Sequence, residues 1–297
     1  MLRLGEIEYL NTLPFSAVFL DLELKEDAHS ISGTRCGMSV IKDTPAGLNA
    51  KLLAGELDAS GVSAACLLQN PQALIQLPGL GISSPGPVMS VTVLSPVPWA
   101  ALAEQPAIQV TPASASARAM LKGLLLEQFG QYPVFEELRD AHREGARGRE
   151  RPSKKSHVRL ETIPPLQPKL IIGDAALAEL DNPNWPYKLD LASQWHAHTG
   201  LPAVFGVWAA RRAWAEQHPE AFIALSEALQ AAANCYKTEA HRQAQVLELA
   251  YNRSDLPRAR LETYLTCAID YAWQDAHAQA LARLGEMLKL ERTTLPA

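Results

Sequence analysis

Neutral hydrogen-bonding side chains recur where predicted strands end and where predicted helices begin. Asn11 follows a predicted strand, and the residues at predicted helix starts are Thr44, Ser63, Ser114 and Ser116. Ser90 stands where a predicted strand begins. Ligands of open α/β folds bind outside the carboxyl ends of the strands, and helix N-termini offer free backbone N–H groups at a positive dipole end. Two lobes that present such ends to one cleft would suit a small ligand with carboxylate groups.

Each of these side chains also has a purely structural interpretation, because Ser, Thr and Asn are preferred as helix N-caps. Asp174 leaves two interpretations open. It follows the buried segment Leu170–Ile172 and either caps the next helix or lines the cleft. We include Asp174 among the candidate substrate-binding residues.

Strand-like and helix-like segments alternate along the chain, which predicts a mainly parallel α/β sheet. The last ninety or so residues are predicted to be helical. Thr44-Pro45 and Ser63 are predicted to begin helices, and Gly130 to end one. The predicted strands are Leu2–Tyr9, Thr34–Ile41, Leu57–Val62, Val91–Leu94, Ala107–Thr111 and Leu170–Ile172.

Two segments far apart in the sequence have the same form, a tight turn followed by a β-rich run. One is Gly86–Leu94 and the other is Thr199–Ala210. We interpret them as two chain crossings between two α/β lobes, with a ligand cleft between the lobes. The predicted domains are lobe I, residues 1–94 plus 206–297, and lobe II, residues 95–205.

Composition argues against several classes of partner. The net charge is −5, so neither nucleic acid nor an anionic membrane surface is expected to bind. Glu6 and Glu8 interrupt the apolar run that an export signal needs, and no segment reaches the length of a membrane span. We therefore expect a cytoplasmic protein, with its scattered cysteines reduced. The oligomeric state is not predicted.

Standard cofactor motifs are missing from the sequence. It has neither a GxGxxG nor a GxxxxGK[ST] fingerprint, and His196 and His198 have no partners at metal-site spacing. We expect no metal and no cofactor. The basic stretch of residues 139–159 contains almost no large apolar residues, and we interpret it as a solvated, mobile insertion in lobe II.

Several motifs together resemble the chorismate dehydratase family (MqnA) of the futalosine route to menaquinone. They occur in the family's order over most of the chain: Tyr9–Pro14, Lys42–Pro45, Gly86–Ser90, Leu170–Leu177 and Thr199–Arg212. The resemblance implies a two-lobe α/β fold like that of type II periplasmic binding proteins. It also implies a lyase that dehydrates chorismate to 3-[(1-carboxyvinyl)oxy]benzoate without a redox cofactor.

The resemblance also implies roles for individual residues. Asn11 and Ser90 occupy the family positions that we expect to be catalytic, and Thr44 and Ser63 are expected to bind substrate carboxylates. In this family the enolpyruvyl carboxylate of the substrate is thought to take the proton. The hydroxyl-rich run that opens lobe II in the family is reduced here to Pro112–Ser116, so Ser114, Ser116 or backbone N–H groups are expected to serve instead.

Two alternatives remain at this point. The first is the sister activity, 1,4-dihydroxy-6-naphthoate synthase (MqnD), whose N-terminal Ser-Pro-Cys-Pro-Asn-Asp-like motif is replaced here by Tyr9–Pro14. The second is a solute-binding protein without catalytic activity. Turnover of chorismate separates both from the main hypothesis.

Overall fold

The computed structural model describes residues 1–16, 37–138 and 166–293. One group of strands comprises β1 Leu2–Ile7, β2 Met38–Asp43, β3 Ala59–Ser63, β4 Leu74–Gln76, β5 Leu80–Ser84, β11 Ala203–Arg211 and β12 Asp270–Ala272. These strands form a sheet in the order β12–β5–β11–β3–β1–β2, and β4 also pairs with β11. The pairs β1–β2 and β1–β3 are parallel, whereas β11 runs antiparallel to its neighbours. We call the unit built on this sheet lobe I.

The second sheet contains β6 Val91–Ser95, β7 Ala107–Val110, β8 Val134–Glu137, β9 Lys169–Ile172 and β10 Tyr187–Asp190. Its order is β10–β6–β9–β7–β8, with β7 parallel to both neighbours and β6 antiparallel to both of its own. We call the unit built on this sheet lobe II. The two sheets therefore provide the two-lobe α/β architecture that the sequence predicts. The prediction of a mainly parallel sheet is wrong, because six of the ten strand pairs among the described residues are antiparallel.

Helices cover the two sheets and form most of the C-terminal region. The α-helices are α1 Pro45–Leu53, α2 Ala64–Gln69, α3 Ala115–Phe129, α4 Asp174–Glu179, α5 Leu191–Thr199, α6 Arg212–Gln217, α7 Pro219–Thr238, α8 Ala240–Arg253, α9 Arg258–Thr263 and α10 Asp275–Thr293. Shorter 3₁₀ turns occupy Leu10–Thr12 and Trp99–Glu104, and a π-helical turn occupies Tyr264–Ala268. Within the described ranges, none of these helices is long and apolar enough to cross a membrane.

The helix boundaries follow from local chemistry. The Oγ1 atom of Thr44 accepts a hydrogen bond from the backbone N of Gly47 at 3.2 Å, and Pro45 fills the first helical position of α1. Ser63 caps α2 in the same way through Cys66 N at 3.1 Å. Gly130 ends α3 in the left-handed conformation with φ 72°, which favours glycine. The sequence predictions for these helix ends are confirmed.

Strands β6 and β11 each span one of the lobe boundaries predicted from the sequence. Strand β6 lies entirely in the second sheet, so a boundary after residue 94 would cut it, and β11 lies entirely in the first sheet, so a boundary after residue 205 would cut that strand too. The sequence of a strand does not determine which sheet it joins, because strand pairing depends on contacts with residues that are distant in the chain. We propose that the chain crosses between lobes in the turns Gly86–Ser90 and Gly200–Pro202.

Two sequence predictions fall partly or wholly outside the described residues. Strand β2 begins at Met38, and the earlier part of the predicted strand from Thr34 lies outside them. The basic insertion predicted at 139–159 lies wholly outside them.

Helix α10 connects the two lobes by packing on both of them. It contacts α3 of lobe II and also α2 and β11 of lobe I. The close approach to α3 depends on Gly123, where a Cβ atom would collide with the side chain of Met287. The C-terminal helix is therefore part of the framework that sets how the lobes face each other.

Candidate functional site

A cavity of about 80 Å³ lies between the lobes, a position where small-molecule sites are common. Its walls come from the ends of β1 and β3 in lobe I and from the end of β9 and the start of α3 in lobe II. Its polar lining residues are Tyr9, Asn11, Ser63, Ser90, Ser114 and Ser116. The remaining lining residues are apolar or glycine, and none of the described lining residues carries a charge.

Asn11 enters the cavity from the 3₁₀ turn that follows β1. Thr12 stabilises this turn, because its hydroxyl donates to the carbonyl oxygens of Ile7 at 2.6 Å and Tyr9 at 2.8 Å. Tyr271 holds the turn from outside by donating to the Asn11 carbonyl at 2.8 Å. The side-chain Oδ1 of Asn11 is buried and has no hydrogen-bond partner among the described residues. A buried amide oxygen without a partner is costly, so this oxygen is a candidate acceptor for a ligand.

Ser90 enters from a tight, strained turn before β6. Met89 has φ 63°, a left-handed conformation that is uncommon for a residue with a side chain. The Ser90 N–H donates to the Val88 carbonyl at 2.6 Å, which closes a three-residue turn around Met89. The Met89 N–H donates to Oδ2 of Asp190 at 2.7 Å, and the Gly173 N–H donates to the Ser90 carbonyl at 2.7 Å. Two of these bonds hold the backbone of Ser90, and the third holds Met89 beside it.

Tyr264 brings Asn11 and Ser90 together. Its hydroxyl donates to Oγ of Ser90 at 3.0 Å, and its phenol also interacts with the side chain of Asn11. Burial raises the pKa of Tyr264 well above its usual value, whereas Ser90 and Asn11 act in the opposite direction. Tyr264 opens the π-helical turn, a feature that often marks functional sites. Sequence reasoning missed Tyr264, because it lies in a segment predicted only as helix.

Three of the remaining predicted serines line the cavity but already have hydrogen bonds. Oγ of Ser63 accepts from Asn49 Nδ2 at 3.2 Å in addition to capping α2. Ser114 donates to the Thr111 carbonyl and makes no side-chain cap for α3, although it occupies the N-cap position. Oγ of Ser116 accepts from the backbone N of Ala65 at 3.0 Å. The last of these bonds joins lobe II to lobe I.

Two predicted site residues lie outside the cavity. Thr44 is exposed and caps α1, and its neighbour Pro45 lines the cavity instead. Asp174 is the first residue of α4 and Gly173 holds the N-cap position, so neither interpretation left open by the sequence, capping or lining this cavity, matches its position. Asp174 instead accepts the Leu10 N–H at 3.2 Å, and burial raises the pKa of its carboxyl group. It borders a separate cavity together with Arg260 and Asp255.

Tyr9 closes one side of the cavity by packing across the two lobes. Gly173 faces the Tyr9 ring so closely that a Cβ atom there would lie 2.9 Å from the ring, and its φ of 67° also favours glycine. Burial raises the pKa of Tyr9, and the charge of Asp174 acts in the same direction. Tyr9 therefore remains a neutral wall of the cavity.

Comparison with solved structures supports the two-lobe fold. The alkanesulfonate-binding protein SsuA from Xanthomonas axonopodis pv. citri, bound to MOPS, matches with a TM-score of 0.63 and 15% identity over 100% of this chain and 94% of its own. A protein of Archaeoglobus fulgidus matches with a TM-score of 0.65 and 16% identity over 98% and 97% of the two chains. A Candida albicans protein with the generic periplasmic binding protein fold gives 0.59 and 10% identity over 100% of this chain and 92% of its own. At these identities the likeness shows the fold alone.

Comparison of sequences identifies the family. A chorismate dehydratase from Thermus thermophilus is 32% identical over 191 residues, which cover 59% of this chain and 62% of that protein. The match thus spans less than two thirds of that relative's length. The family model for menaquinone biosynthesis matches residues 2–152 and 158–289. Because that match covers nearly the whole chain, this protein belongs to the menaquinone biosynthesis family.

Proposed function

We propose that this protein is a chorismate dehydratase, a hydro-lyase that converts chorismate to 3-[(1-carboxyvinyl)oxy]benzoate and water. The observation that carries the proposal is the meeting of Asn11 and Ser90 in one uncharged cavity between the lobes. The similarity to the chorismate dehydratase of Thermus thermophilus supports the same activity. As part of this proposal, we place the enzyme in the cytoplasm with a small-molecule substrate.

The reaction removes a proton and a neighbouring hydroxyl group from the ring of the substrate. The proton leaves the ring carbon that bears the enolpyruvyl ether, and its electron pair is delocalised through a ring double bond toward the ring carboxylate. Those electrons then expel the hydroxyl from the adjacent carbon, and the hydroxide takes up the proton to leave as water. The ring becomes aromatic, and no net oxidation or reduction takes place. The protein therefore has mainly to hold one conformer and stabilise developing charge.

The uncharged lining suits a reaction in which the substrate supplies its own base. The described lining residues include no His, Lys, Asp or Glu that could remove the proton. The enolpyruvyl carboxylate of the substrate lies next to that proton within the same molecule. A dry, apolar wall would strengthen this carboxylate as a base, because burial disfavours its charged form.

Asn11 and Ser90 are proposed to act on the departing hydroxyl. The free Oδ1 of Asn11 is an acceptor for a ligand O–H group, and the ring hydroxyl of chorismate is such a donor. Ser90 can donate its own proton toward the oxygen as the carbon–oxygen bond breaks. Ala113, Ser114 and Ser116 surround the N-terminus of α3 on the opposite wall, where a substrate carboxylate would meet backbone N–H groups. Ser63 faces the same space from lobe I.

Incubation of the purified protein with chorismate tests the proposal. We expect the aromatic ether to form without added metal or nucleotide, with its appearance followed by ultraviolet absorption and chromatography. The Ser90→Ala variant serves as the matched control for background aromatisation. Chorismate that is bound but not consumed would favour a solute-binding protein. Consumption of the cyclic futalosine-derived substrate instead of chorismate would favour the naphthoate synthase activity.

A further inference from the structure

Tyr264 lies behind the cavity wall and does not line the cavity, yet its hydroxyl contacts Ser90. We propose that Tyr264 is a positioning residue that fixes the direction of the Ser90 hydroxyl for the dehydration. This inference rests on the proposed function of the site. The observation behind it is the buried hydrogen bond of 3.0 Å from the Tyr264 hydroxyl to Oγ of Ser90.

A serine hydroxyl rotates freely unless a partner selects one orientation. Oγ of Ser90 has Tyr264 as its hydrogen-bond partner within the described chain, and Ser90 is only 3% exposed. When Tyr264 occupies a lone pair of Oγ, the proton of Ser90 is turned away from Tyr264. The open space next to it is the cavity, which Ser90 lines. The bond thus makes Ser90 a donor toward a ligand.

Tyr264 is suited to act as a permanent donor in this bond. It is fully buried, and burial raises the pKa of its phenol, so the hydroxyl keeps its proton at neutral pH. The nearby Asn11 amide stabilises the phenol oxygen, as its effect on the same group shows. The contacts therefore link Asn11 and Ser90 through one phenol.

The turn that carries Tyr264 is held independently of the cavity. The Tyr236 hydroxyl donates to the Leu265 carbonyl at 2.9 Å, and this tyrosine is also buried. Tyr236 thus has a hydrogen bond of the same kind in the same cluster, but without contact to Ser90. It provides a matched control for the loss of a buried tyrosine hydroxyl.

The test compares Tyr264→Phe with Tyr236→Phe. We expect Tyr264→Phe to lower kcat for chorismate roughly tenfold, as expected for one lost hydrogen bond, and to leave KM unchanged. Tyr236→Phe removes a bond that holds the turn and not the Ser90 hydroxyl, so it should lower kcat by less than Tyr264→Phe does. In a double-mutant cycle, Tyr264→Phe should have no further effect on kcat once Ser90 is alanine, because its effect acts through the Ser90 hydroxyl. An unchanged kcat in Tyr264→Phe, or a full further loss in the double variant, would overturn the proposal.

A crystallographic measurement separates this proposal from the proposed function. We expect Ser90 to adopt one rotamer in the wild type and in Tyr236→Phe, but a shifted or second rotamer in Tyr264→Phe. An unchanged Ser90 rotamer in Tyr264→Phe contradicts the positioning role whatever the enzyme's activity. Failure of the wild type to consume chorismate rejects the proposed function, and the rotamer comparison then still decides the role of Tyr264.

Discussion

At the scale of single residues, the site is built from uncharged groups held in fixed positions. The left-handed conformation of Met89 costs on the order of 1 kcal/mol, and the bond from its N–H to Asp190 helps to offset this cost. Such strain is typical of functional sites, where it directs one side chain. Here it directs Ser90 into the cavity that Asn11 enters from the other lobe.

Replacement of Asn11 by alanine should separate activity from stability. We expect kcat to fall about 100-fold, because the Asn11 oxygen is proposed to hold the departing hydroxyl in position and small displacements of reacting groups have effects of this size. The free energy of unfolding should fall by about 1 kcal/mol, because the variant loses the contact of the Asn11 amide with the Tyr264 phenol, while Oδ1 has no partner to lose among the described residues. Steady-state kinetics and urea denaturation measure the two effects.

The surface variant Asn182→Ala is the control for this prediction. Asn182 accepts the Asn184 N–H at 3.0 Å and does not line the cavity, so its loss should leave kcat unchanged. A wild-type kcat in Asn11→Ala would remove Asn11 from the mechanism. A large loss of stability would instead give Asn11 a structural role.

At the scale of secondary structure, the sequence predicts helix starts better than it predicts sheet membership. Thr44-Pro45, Ser63 and Gly130 act through neighbours in the chain, so their roles can be read locally. The partners of β6, the short strand β12 and the π-helical turn depend on contacts with distant residues, which local patterns do not contain.

The same distinction between local and long-range contacts explains which candidate site residues can be predicted from the sequence. All the residues at these local positions except Thr44 line the cavity: Asn11 after a strand, Ser90 before one, and Ser63, Ser114 and Ser116 at helix starts. Thr44 satisfies the same local rule but its cap faces solvent, because the rule does not specify the direction of the side chain. Tyr264 matches no local sequence pattern. It lies 174 residues from Ser90 in the sequence, and the tertiary fold brings the two side chains into contact.

Replacement of Thr44 by alanine tests whether this residue binds substrate. The loss of an N-cap should lower the free energy of unfolding by about 1 kcal/mol. KM for chorismate should stay at the wild-type value, because Thr44 is exposed and lies outside the cavity lining. Thermal denaturation and kinetics provide the two measurements. A clearly raised KM would instead support the binding of a substrate carboxylate by Thr44, as the family resemblance implies.

Asp58 joins three neighbouring strands of lobe I and should make stability depend on pH. Burial alone would raise its pKa, but hydrogen bonds from Arg3 on β1 and Arg211 at the end of β11 lower the pKa to about 2. Because the pKa of Asp58 is lower in the folded protein than its unfolded value of about 4, the ionised carboxylate stabilises the fold above pH 4. This stabilisation is lost as the pH falls toward 2. We expect this group to contribute about 2 kcal/mol at neutral pH.

The Asp58→Asn variant isolates this contribution. It should be less stable than the wild type at neutral pH. The gap between the two free energies of unfolding should close between about pH 4 and pH 2, as Asp58 becomes protonated in the wild type. Urea denaturation at several pH values measures the gap. A gap that stays constant through the acid range would show that the charge of Asp58 does not stabilise the fold.

At the scale of the whole molecule, the lobes meet around an uncharged interior. Contacts between them include the Ser116–Ala65 hydrogen bond, the packing of Tyr9 on Gly173 and the bond from Leu10 to Asp174. A cavity between two lobes is suited to enclosing a small molecule and excluding water. In the proposed reaction, enclosure of one substrate conformer by neutral donors supplies most of the catalysis.

A crystal structure of the protein with 3-[(1-carboxyvinyl)oxy]benzoate bound tests this account most directly. We predict that the product lies in the cavity between the lobes, with the side chains of Asn11 and Ser90 within hydrogen-bond distance of the ring carbon that has lost its hydroxyl or of a water molecule beside it. A product bound outside this cavity, or one in contact with neither side chain, would contradict the account.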